Sequence, residues 1–185
     1  MSVECINCAA CLKCIKCGWC RCPREATLKG EGTSVAGPGV VAKTSSIYII
    51  GSMRNPRVPV IAKALRDLGY DVFDDWYSVG PEADDKWQEY EKARGRTFTQ
   101  ALAGHHAGHV FALDKKHLDR CTAAVLVAPA GKSAHLELGY MIGSGKQGYI
   151  LLDGEPERFD IMYQFATGIA STLDELLTAL PMVLP

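Results

Sequence analysis

The chain has 185 residues, of which 48% are hydrophobic and 22% are charged, and its formal net charge is −1. That balance provides no overall field to draw the protein to nucleic acid or to an anionic membrane. No apolar run approaches the ~20 residues of a membrane span, and the N-terminus lacks the apolar core of a signal peptide, so we expect a cytoplasmic protein without membrane partners.

Cysteine dominates the first 23 residues. Seven of the eight cysteines lie there with a repeated C-x2-C spacing, at Cys5, Cys8, Cys11, Cys14, Cys17, Cys20 and Cys22. A terminal cluster does not tie a whole fold together as disulfides would, and clustered thiols in a reducing compartment are typical of metal sites. We predict a metal-binding head at residues 1–23, and favour structural zinc over an iron–sulfur centre because the last spacing departs from the ferredoxin pattern. The alternative is a head that binds no metal; its basic residues and Trp19 leave nucleic-acid binding open.

Residues 24–45 are rich in Gly, Ser and Thr, which is typical of a flexible linker. A globular domain is predicted over residues 46–185, where strands alternate with helices. Apolar, β-branched runs predict strands at 46–52, 70–76, 123–128 and 147–153. Helices are predicted at 58–70, within the charged stretch 81–102, and at 109–121, 134–146 and near the C-terminus.

Two of these helices carry further signals. In the first, the apolar residues at helical spacing are Val60, Ile61, Ala64, Leu65 and Leu68, and Gly69 follows as a plausible C-cap. In the last, Ser171 or Thr172 is the predicted N-cap.

The alternation predicts an α/β fold: a doubly wound parallel sheet of Rossmann-like or flavodoxin-like type, with helices on both faces. Its crossovers should be right-handed. Ligands of such sheets bind beyond the carboxyl ends of the strands. Here the segments after the four predicted strands are polar or Gly-rich, which indicates one shared cleft.

The loop after the first strand has the features of an anion site. Gly51 and Ser52 would let backbone N–H groups approach an anion at the start of a helix. Arg54 or Arg57 would add bidentate contacts to a phosphate or carboxylate. An ordinary strand–helix turn explains the same residues, since neither a Walker loop nor G-x-G-x-x-G is present.

A second loop with these features follows the third strand. Gly131 and Ser133 could hold another polar end of the ligand, and Glu137 lies just inside the next helix. A dipole-stabilising acid in a first turn explains Glu137 equally well. His135 and Glu137 form H-x-E, but the downstream cysteine pair of zinc deaminases is missing, so we expect His135 to be no metal ligand.

The motifs IYIIGSMR, the D-x-x-x-L of DKKHL, and AAVLVAPAGKSAHLELGYMIGSGK occur in this order between about residues 47 and 152. In order and spacing they resemble the nucleoside 2-deoxyribosyltransferase superfamily, which includes 2′-deoxynucleoside 5′-monophosphate N-glycosidases. The resemblance implies that Tyr48, Asp114 and Glu137 are catalytic. It also places the phosphate-binding positions at Ser52, Arg54 and Ser133, although the loop before Glu137 is longer than in many relatives.

The activity implied is N-glycosidic bond cleavage or transfer on a (deoxy)nucleoside or its 5′-monophosphate, without a cofactor for catalysis. Glu137 would act at the anomeric carbon, Asp114 would protonate the departing base, and Tyr48 would position Glu137. Read without the resemblance, Tyr48 is also explained as an ordinary strand residue and Asp114 as a helix N-cap. The alternative function is a non-catalytic nucleotide-sensing module whose metal-binding head recognises a partner. Relatives also imply a homo-oligomer.

Three further features have open interpretations. Asp74 and Asp75 at a strand end could contact sugar or base, or be solvated. Relative to the small hydrolases of the family that it resembles, the chain has an insertion at residues 81–109. It could shape the base pocket, line a dimer contact, or do neither. The HHAGH tract at 105–109 could bind metal, although a loop with surface histidines explains it better.

Overall fold

The structure is a computed structural model that describes residues 45–156 and 158–181. The predicted cysteine head lies outside the described residues, as does the predicted linker except for Ser45. The other described residues belong to the domain predicted over residues 46–185.

Five parallel strands form one sheet in the order β2-β1-β3-β4-β5. The strands are β1 (Ser46–Ile50), β2 (Asp71–Phe73), β3 (Ala123–Val127), β4 (Gln147–Leu151) and β5 (Gly168–Ala170). This is the flavodoxin-like order, in which the chain reverses direction across the sheet between β1 and β3. The predicted fold class is therefore confirmed for the described residues.

Helices connect the strands and cover both faces of the sheet. They are α1 (Arg57–Asp67), α2 (Ala83–Ala93), α3 (Phe98–Leu102), α4 (His105–Arg120), α5 (Lys132–Gly143) and α6 (Leu173–Ala179). Two 3-10 helices, Asp75–Val79 and Ile161–Phe165, follow β2 and precede β5. Within the described residues, no helix has both the length and the apolar character needed to cross a bilayer.

Alternate residues of the central strands contribute to two separate apolar clusters. Ile47 and Ile49 pack with α1 and α6, while Tyr48 and Ile50 pack with α4 and α5. All five residues of β1, like those of β3, are buried, because helices cover both sides of a parallel sheet. The site predicted on Tyr48 therefore belongs to the α4–α5 face.

Gly148 allows α5 to lie directly on β4. A Cβ at this position would lie 2.6 Å from the Ile142 side chain and 2.9 Å from that of Leu138. Both neighbours belong to α5, the helix that carries Glu137. A larger residue at Gly148 would therefore push this helix away from the sheet.

Several predicted boundaries and faces differ from the structure. The second strand is shorter than predicted, because Asp75–Val79 turns into a 3-10 helix after Phe73. The prediction of which side of α1 is buried is also wrong in part. Val60 and Leu68 are 64% and 52% exposed, whereas Val58 is fully buried. The strand β5 was not predicted, since only three residues form it.

Both capping predictions are confirmed. Gly69 has a φ of 92°, a left-handed conformation that glycine adopts readily after a helix. The Thr172 side chain accepts a hydrogen bond from the Glu175 N–H and so caps α6.

Candidate active site

Two loops meet at the point where the strand order reverses, beyond the carboxyl ends of β1 and β3. Asn55, which is 5% exposed, holds them together. Its Nδ2 donates to the carbonyl oxygens of Val127 at 3.3 Å and Ala128 at 3.1 Å, while its Oδ1 accepts from the Arg57 N–H at 3.0 Å. The first loop is thereby fixed against the second.

Arg57 extends the same connection to β4. Its Nη1 donates to Asp153 at 2.7 Å, to the Leu152 carbonyl oxygen at 3.2 Å and to the Ala128 carbonyl oxygen at 3.4 Å. Its guanidinium therefore joins the segments that follow β3 and β4. The alternative that Arg57 contacts a phosphate would require it to leave these partners.

The residues predicted to bind an anion after β1 form a tight turn. A Cβ on Gly51 would lie 2.7 Å from the Val58 side chain, so α1 packs closely against the turn. The Ser52 hydroxyl accepts a hydrogen bond from the Arg54 N–H at 3.2 Å. The Arg54 side chain points to α2, where Nη2 lies 2.5 Å from Oδ2 of Asp85.

Tyr48, Asp114 and Glu137 come together on the α4–α5 face of the sheet. Tyr48 is on β1 and only 1% exposed, while Asp114 and Glu137 are half-buried on α4 and α5. In addition to burial, the negative charge of Asp114 raises the pKa of Glu137, and the charges of both carboxylates raise the pKa of the Tyr48 hydroxyl. The three residues predicted as catalytic are thus neighbours, although they are 66 and 23 positions apart in sequence.

The carboxyl groups of this cluster bind protons more tightly than usual. Burial, and to a lesser extent the charge of Asp114, raises the pKa of Glu137 to about 7. Burial also raises the pKa of Asp114, while His117 and the Tyr48 hydroxyl oppose that increase. The pKa of Tyr48 is raised above its ordinary value, mainly by burial and then by Glu137, so its hydroxyl stays protonated. At neutral pH the Glu137 carboxyl group is consequently only partly ionised.

The positions of Asp114 and Glu137 within their helices exclude two of the alternative explanations for these residues. Asp114 lies near the middle of α4, whose N-cap is Gly104, so Asp114 is not a helix N-cap. Glu137 lies in the second turn of α5, whose first turn contains no acidic residue. The first-turn explanation for Glu137 is therefore wrong.

Aromatic rings pack beside the carboxyl groups. Tyr48 contacts Phe73 with ring centroids 5.2 Å apart, and Phe73 stacks on His117 at 3.7 Å with 9° between the planes. The Nδ1 atom of His117 is buried, and no described residue pairs with it. His117 was not predicted, yet its spacing of three from Asp114 places both on one side of a helix.

A surface cluster joins the two helices that carry the carboxyl groups. Lys115 on α4 donates to Asp119 at 2.6 Å and to the Tyr140 hydroxyl of α5 at 3.0 Å. Tyr140 in turn donates to Asp119. These contacts raise the pKa of Lys115 and lower that of Asp119, and they fix α4 beside α5.

Other predicted contact residues already have protein partners or are exposed. Asp74 forms an ion pair with Arg66, and Asp75 is an exposed residue of the 3-10 helix. Gly131 and Ser133 are exposed at the start of α5. Their proposed contacts with ligand remain predictions.

A cavity of about 950 Å³ lies along another side of α5. His135, Leu138, Gly139, Tyr163 and Phe165 are among the residues that line it. The His135 ring nitrogens lie 2.8 Å from the Gly131 carbonyl oxygen and 2.9 Å from the Tyr163 hydroxyl. None of Tyr48, Asp114 and Glu137 lines this cavity, so we place the candidate chemistry at the carboxyl cluster rather than here.

Metal binding in the described part of the chain has no support. Across residues 45–156 and 158–181, no group of three or more His, Cys, Asp or Glu side chains is placed to hold an ion. The HHAGH tract is the start of α4 rather than a loop, with the His105 and His109 rings stacked 6.4 Å apart. The predicted cysteine ligands lie outside the described residues, so zinc in the head stays a prediction.

The architecture matches a solved enzyme. The structure of a 2-deoxyribosyltransferase from the psychrotolerant bacterium Bacillus psychrosaccharolyticus aligns with a TM-score of 0.50 and 16% identity, over 76% of this chain and 100% of that one. The two chains share a fold. No protein-family model and no curated protein matches the sequence.

Replacing Glu137 by Gln is expected to stabilise the protein in alkaline solution. The ordinary pKa of 4.5 rises to about 7 on folding, so the folded protein retains a proton that the unfolded chain releases between these pH values. Stability therefore falls as the pH rises through this window. Gln carries no such penalty, so the free energy of unfolding should increase by about 1–3 kcal/mol at pH 8 and change little at pH 4.5.

Urea unfolding of both proteins at the two pH values measures the difference. Glu89→Gln, at an exposed position of α2, is the matched control and should show no such pH dependence. An equal effect of Glu137→Gln at both pH values would contradict the raised pKa.

Proposed function

We propose that this protein cleaves or transfers the N-glycosidic bond of a (deoxy)nucleoside or (deoxy)nucleoside 5′-monophosphate. The observation that carries the proposal is the convergence of Glu137, Asp114 and Tyr48 on the α4–α5 face of the sheet, with raised pKa values on both carboxyl groups. The fold shared with a 2-deoxyribosyltransferase supports it. Strongly perturbed ionisable groups clustered in a partly buried position are typical of catalytic sites.

The two carboxyl groups would act in sequence. The ionised Glu137 attacks the anomeric carbon as the bond to the base breaks, and Asp114 gives its proton to the departing base nitrogen. Water in a hydrolase, or a second base in a transferase, then attacks the anomeric carbon of the glycosyl–Glu137 ester and gives up a proton to the Asp114 carboxylate. The ester bond breaks and Glu137 is released as a carboxylate. Tyr48, protonated and buried, would donate a hydrogen bond to Asp114 rather than to Glu137, the partner predicted from the sequence, and so would hold that acid in position beside Glu137.

The reaction requires one proton on the pair. If Glu137 is ionised while Asp114 is protonated, both functions are available at once. Because the charge of Asp114 raises the pKa of Glu137, the first proton lost from the pair makes loss of the second less favourable. The singly protonated pair is thus maintained over a range that ends near neutral pH.

The test is a direct assay of base release. The full chain is incubated with the four common deoxynucleosides, the matching ribonucleosides and the 5′-monophosphate of each, and free base is measured by chromatography. Base release from at least one of them supports the proposal, and addition of an acceptor base distinguishes transfer from hydrolysis. Tight nucleotide binding by calorimetry without base release would instead support the sensing module.

A further inference from the structure

Two buried side-chain nitrogen atoms have no hydrogen-bond partner among the described residues: Nε1 of Trp87 and Nδ1 of His117. Buried polar atoms are nearly always paired in folded proteins, so each exception needs an explanation. The His117 atom is the more informative, because His117 belongs to α4, the helix that carries Asp114. It follows Asp114 by three residues, a spacing that places both side chains on one side of the helix.

Contacts within the domain place the His117 ring beside the proposed catalytic residues. The ring stacks on that of Phe73, with centroids 3.7 Å apart, and the Phe73 ring lies 5.2 Å from that of Tyr48. Burial raises the pKa of Asp114, and His117 lies close enough to its carboxyl group to oppose that increase. Phe73 is 5% exposed, so the imidazole is held flat against a fixed aromatic surface.

The buried position of Nδ1 indicates which nitrogen of His117 carries the proton. A neutral imidazole has one N–H donor and one acceptor nitrogen. In folded proteins, buried N–H groups without an acceptor are rarer than buried acceptors without a donor. We therefore assign Nδ1 as the acceptor and Nε2 as the donor. Nε2 is not buried and has no hydrogen-bond partner in the described part of the chain, so its N–H is available to a ligand.

The side of α4 that carries Asp114 and His117 suits a flat, largely apolar ligand. Val110 and Leu113 lie four residues before Asp114 and His117 respectively, so they share that side, and both are exposed. Apolar side chains with one or two polar groups are typical of a site for a planar ring. Sugar hydroxyls or a phosphate would need several polar partners there. This side of α4 therefore matches the base of a nucleoside.

We propose that His117 donates a hydrogen bond from Nε2 to a nucleobase, at an acceptor next to the nitrogen that Asp114 protonates. This inference rests on the proposed function, because that function places the base beside Asp114. The purine edge that carries N7 also carries the substituent at C6, which is an acceptor oxygen in guanine and a donor amino group in adenine. Two donors on one side of α4 match N7 and O6, so His117 selects 6-oxopurines over 6-aminopurines.

His117→Phe is expected to abolish this selection. Phe keeps an aromatic ring to stack on Phe73 but has no donor. The probes are 2′-deoxyinosine and 2′-deoxyadenosine, which differ at C6 and in the proton on N1, each as the nucleoside and as the 5′-monophosphate. In the wild type, kcat/KM for base release should favour the 6-oxopurine about five- to a hundredfold, the discrimination typical of a well-formed contact to a base edge. In His117→Phe the ratio should fall to within about twofold of one.

Two further variants separate a substrate contact from a structural role. His117→Gln keeps an N–H donor on a flexible side chain, and should retain part of the selection. His106→Phe is the matched control, because it makes the same substitution at an exposed position of α4. It should leave the ratio unchanged. Circular dichroism establishes that each variant is folded.

Dissociation constants of the same probes, measured by calorimetry, give the selection even without turnover. A wild-type preference for the 6-oxopurine that His117→Phe abolishes, and His106→Phe does not, supports the inference. Equal losses on both purines in His117→Phe would show that His117 acts only through Asp114, and would overturn it. A wild type that does not prefer the 6-oxopurine overturns it as well.

The two proposals fail in different ways. Binding without base release refutes the proposed reaction, while the ratio of dissociation constants still decides the inference about His117. Base release without a preference for the 6-oxopurine, or from pyrimidine nucleosides alone, leaves the reaction standing and refutes the inference. Failure of every nucleoside and monophosphate to bind overturns both.

Discussion

Glu137→Gln is expected to lower kcat/KM for base release by about a thousandfold or more. Gln has nearly the shape of Glu but cannot form the glycosyl ester or stabilise positive charge at the anomeric carbon. Steady-state base release measures the change, on whichever nucleoside the wild-type protein cleaves fastest. The substituted protein should still fold, because the neutral amide removes the cost of a partly buried charge.

Substrate binding distinguishes this loss from misfolding. Calorimetry should give a dissociation constant close to that of the wild type, since the defect arises at the reacting carbon. The exposed control Glu89→Gln should retain full activity. If Glu137→Gln keeps more than about a tenth of the wild-type rate, the assignment of Glu137 to the anomeric carbon is wrong.

Asp114→Asn is expected to lower kcat/KM about a hundredfold and to change the shape of the pH profile. In the wild type, activity requires Glu137 ionised and a proton on Asp114, so the profile should be bell-shaped with its alkaline limb near neutral pH. Asn cannot supply that proton, so the alkaline limb should disappear. The acid limb should remain, because it reports ionisation of Glu137 beside an uncharged neighbour in both proteins.

A methylated substrate provides the control for this variant. The base of N7-methyl-2′-deoxyguanosine already carries a positive charge and leaves without being protonated. Asp114→Asn should therefore cleave it at nearly the wild-type rate while remaining slow on 2′-deoxyguanosine. Equal losses on the two substrates would show that Asp114 does not protonate the base.

The central sheet was predictable because its strands are chemically uniform. SIYII and AAVLV are continuous apolar runs, and only strands covered on both sides bury every residue of such a run. β5 consists of Gly, Ile and Ala, too short a pattern to separate from a loop. The predicted apolar face of α1 was wrong in part because Val58 and Val60 lie on different sides of the helix. Contacts with the sheet determine which of the two is buried.

The sequence named three candidate site residues that lie together in the structure, but it did not give the partners of the surrounding residues. Glu137 and Asp114 follow from ordered motifs, and the structure places both beside Tyr48. The pairing of Arg54 with Asp85 joins residues 31 positions apart, across an insertion whose path the sequence does not define. The role of Asn55 was not predictable either, because an Asn before Pro is typical of any turn. Its hydrogen bonds to the loop after β3 are known only from the folded structure.

The bonds made by Asn55 and Arg57 have a consequence for motion. They tie the ends of β1, β3 and β4 together through partly buried contacts, whereas an exposed ion pair joins α2 to the same rim. Local opening is easiest where the fewest protected interactions must break, so fluctuations that widen the cleft are concentrated at α2. We therefore expect hydrogen exchange to be faster in α2 than in the loops that Asn55 and Arg57 hold together.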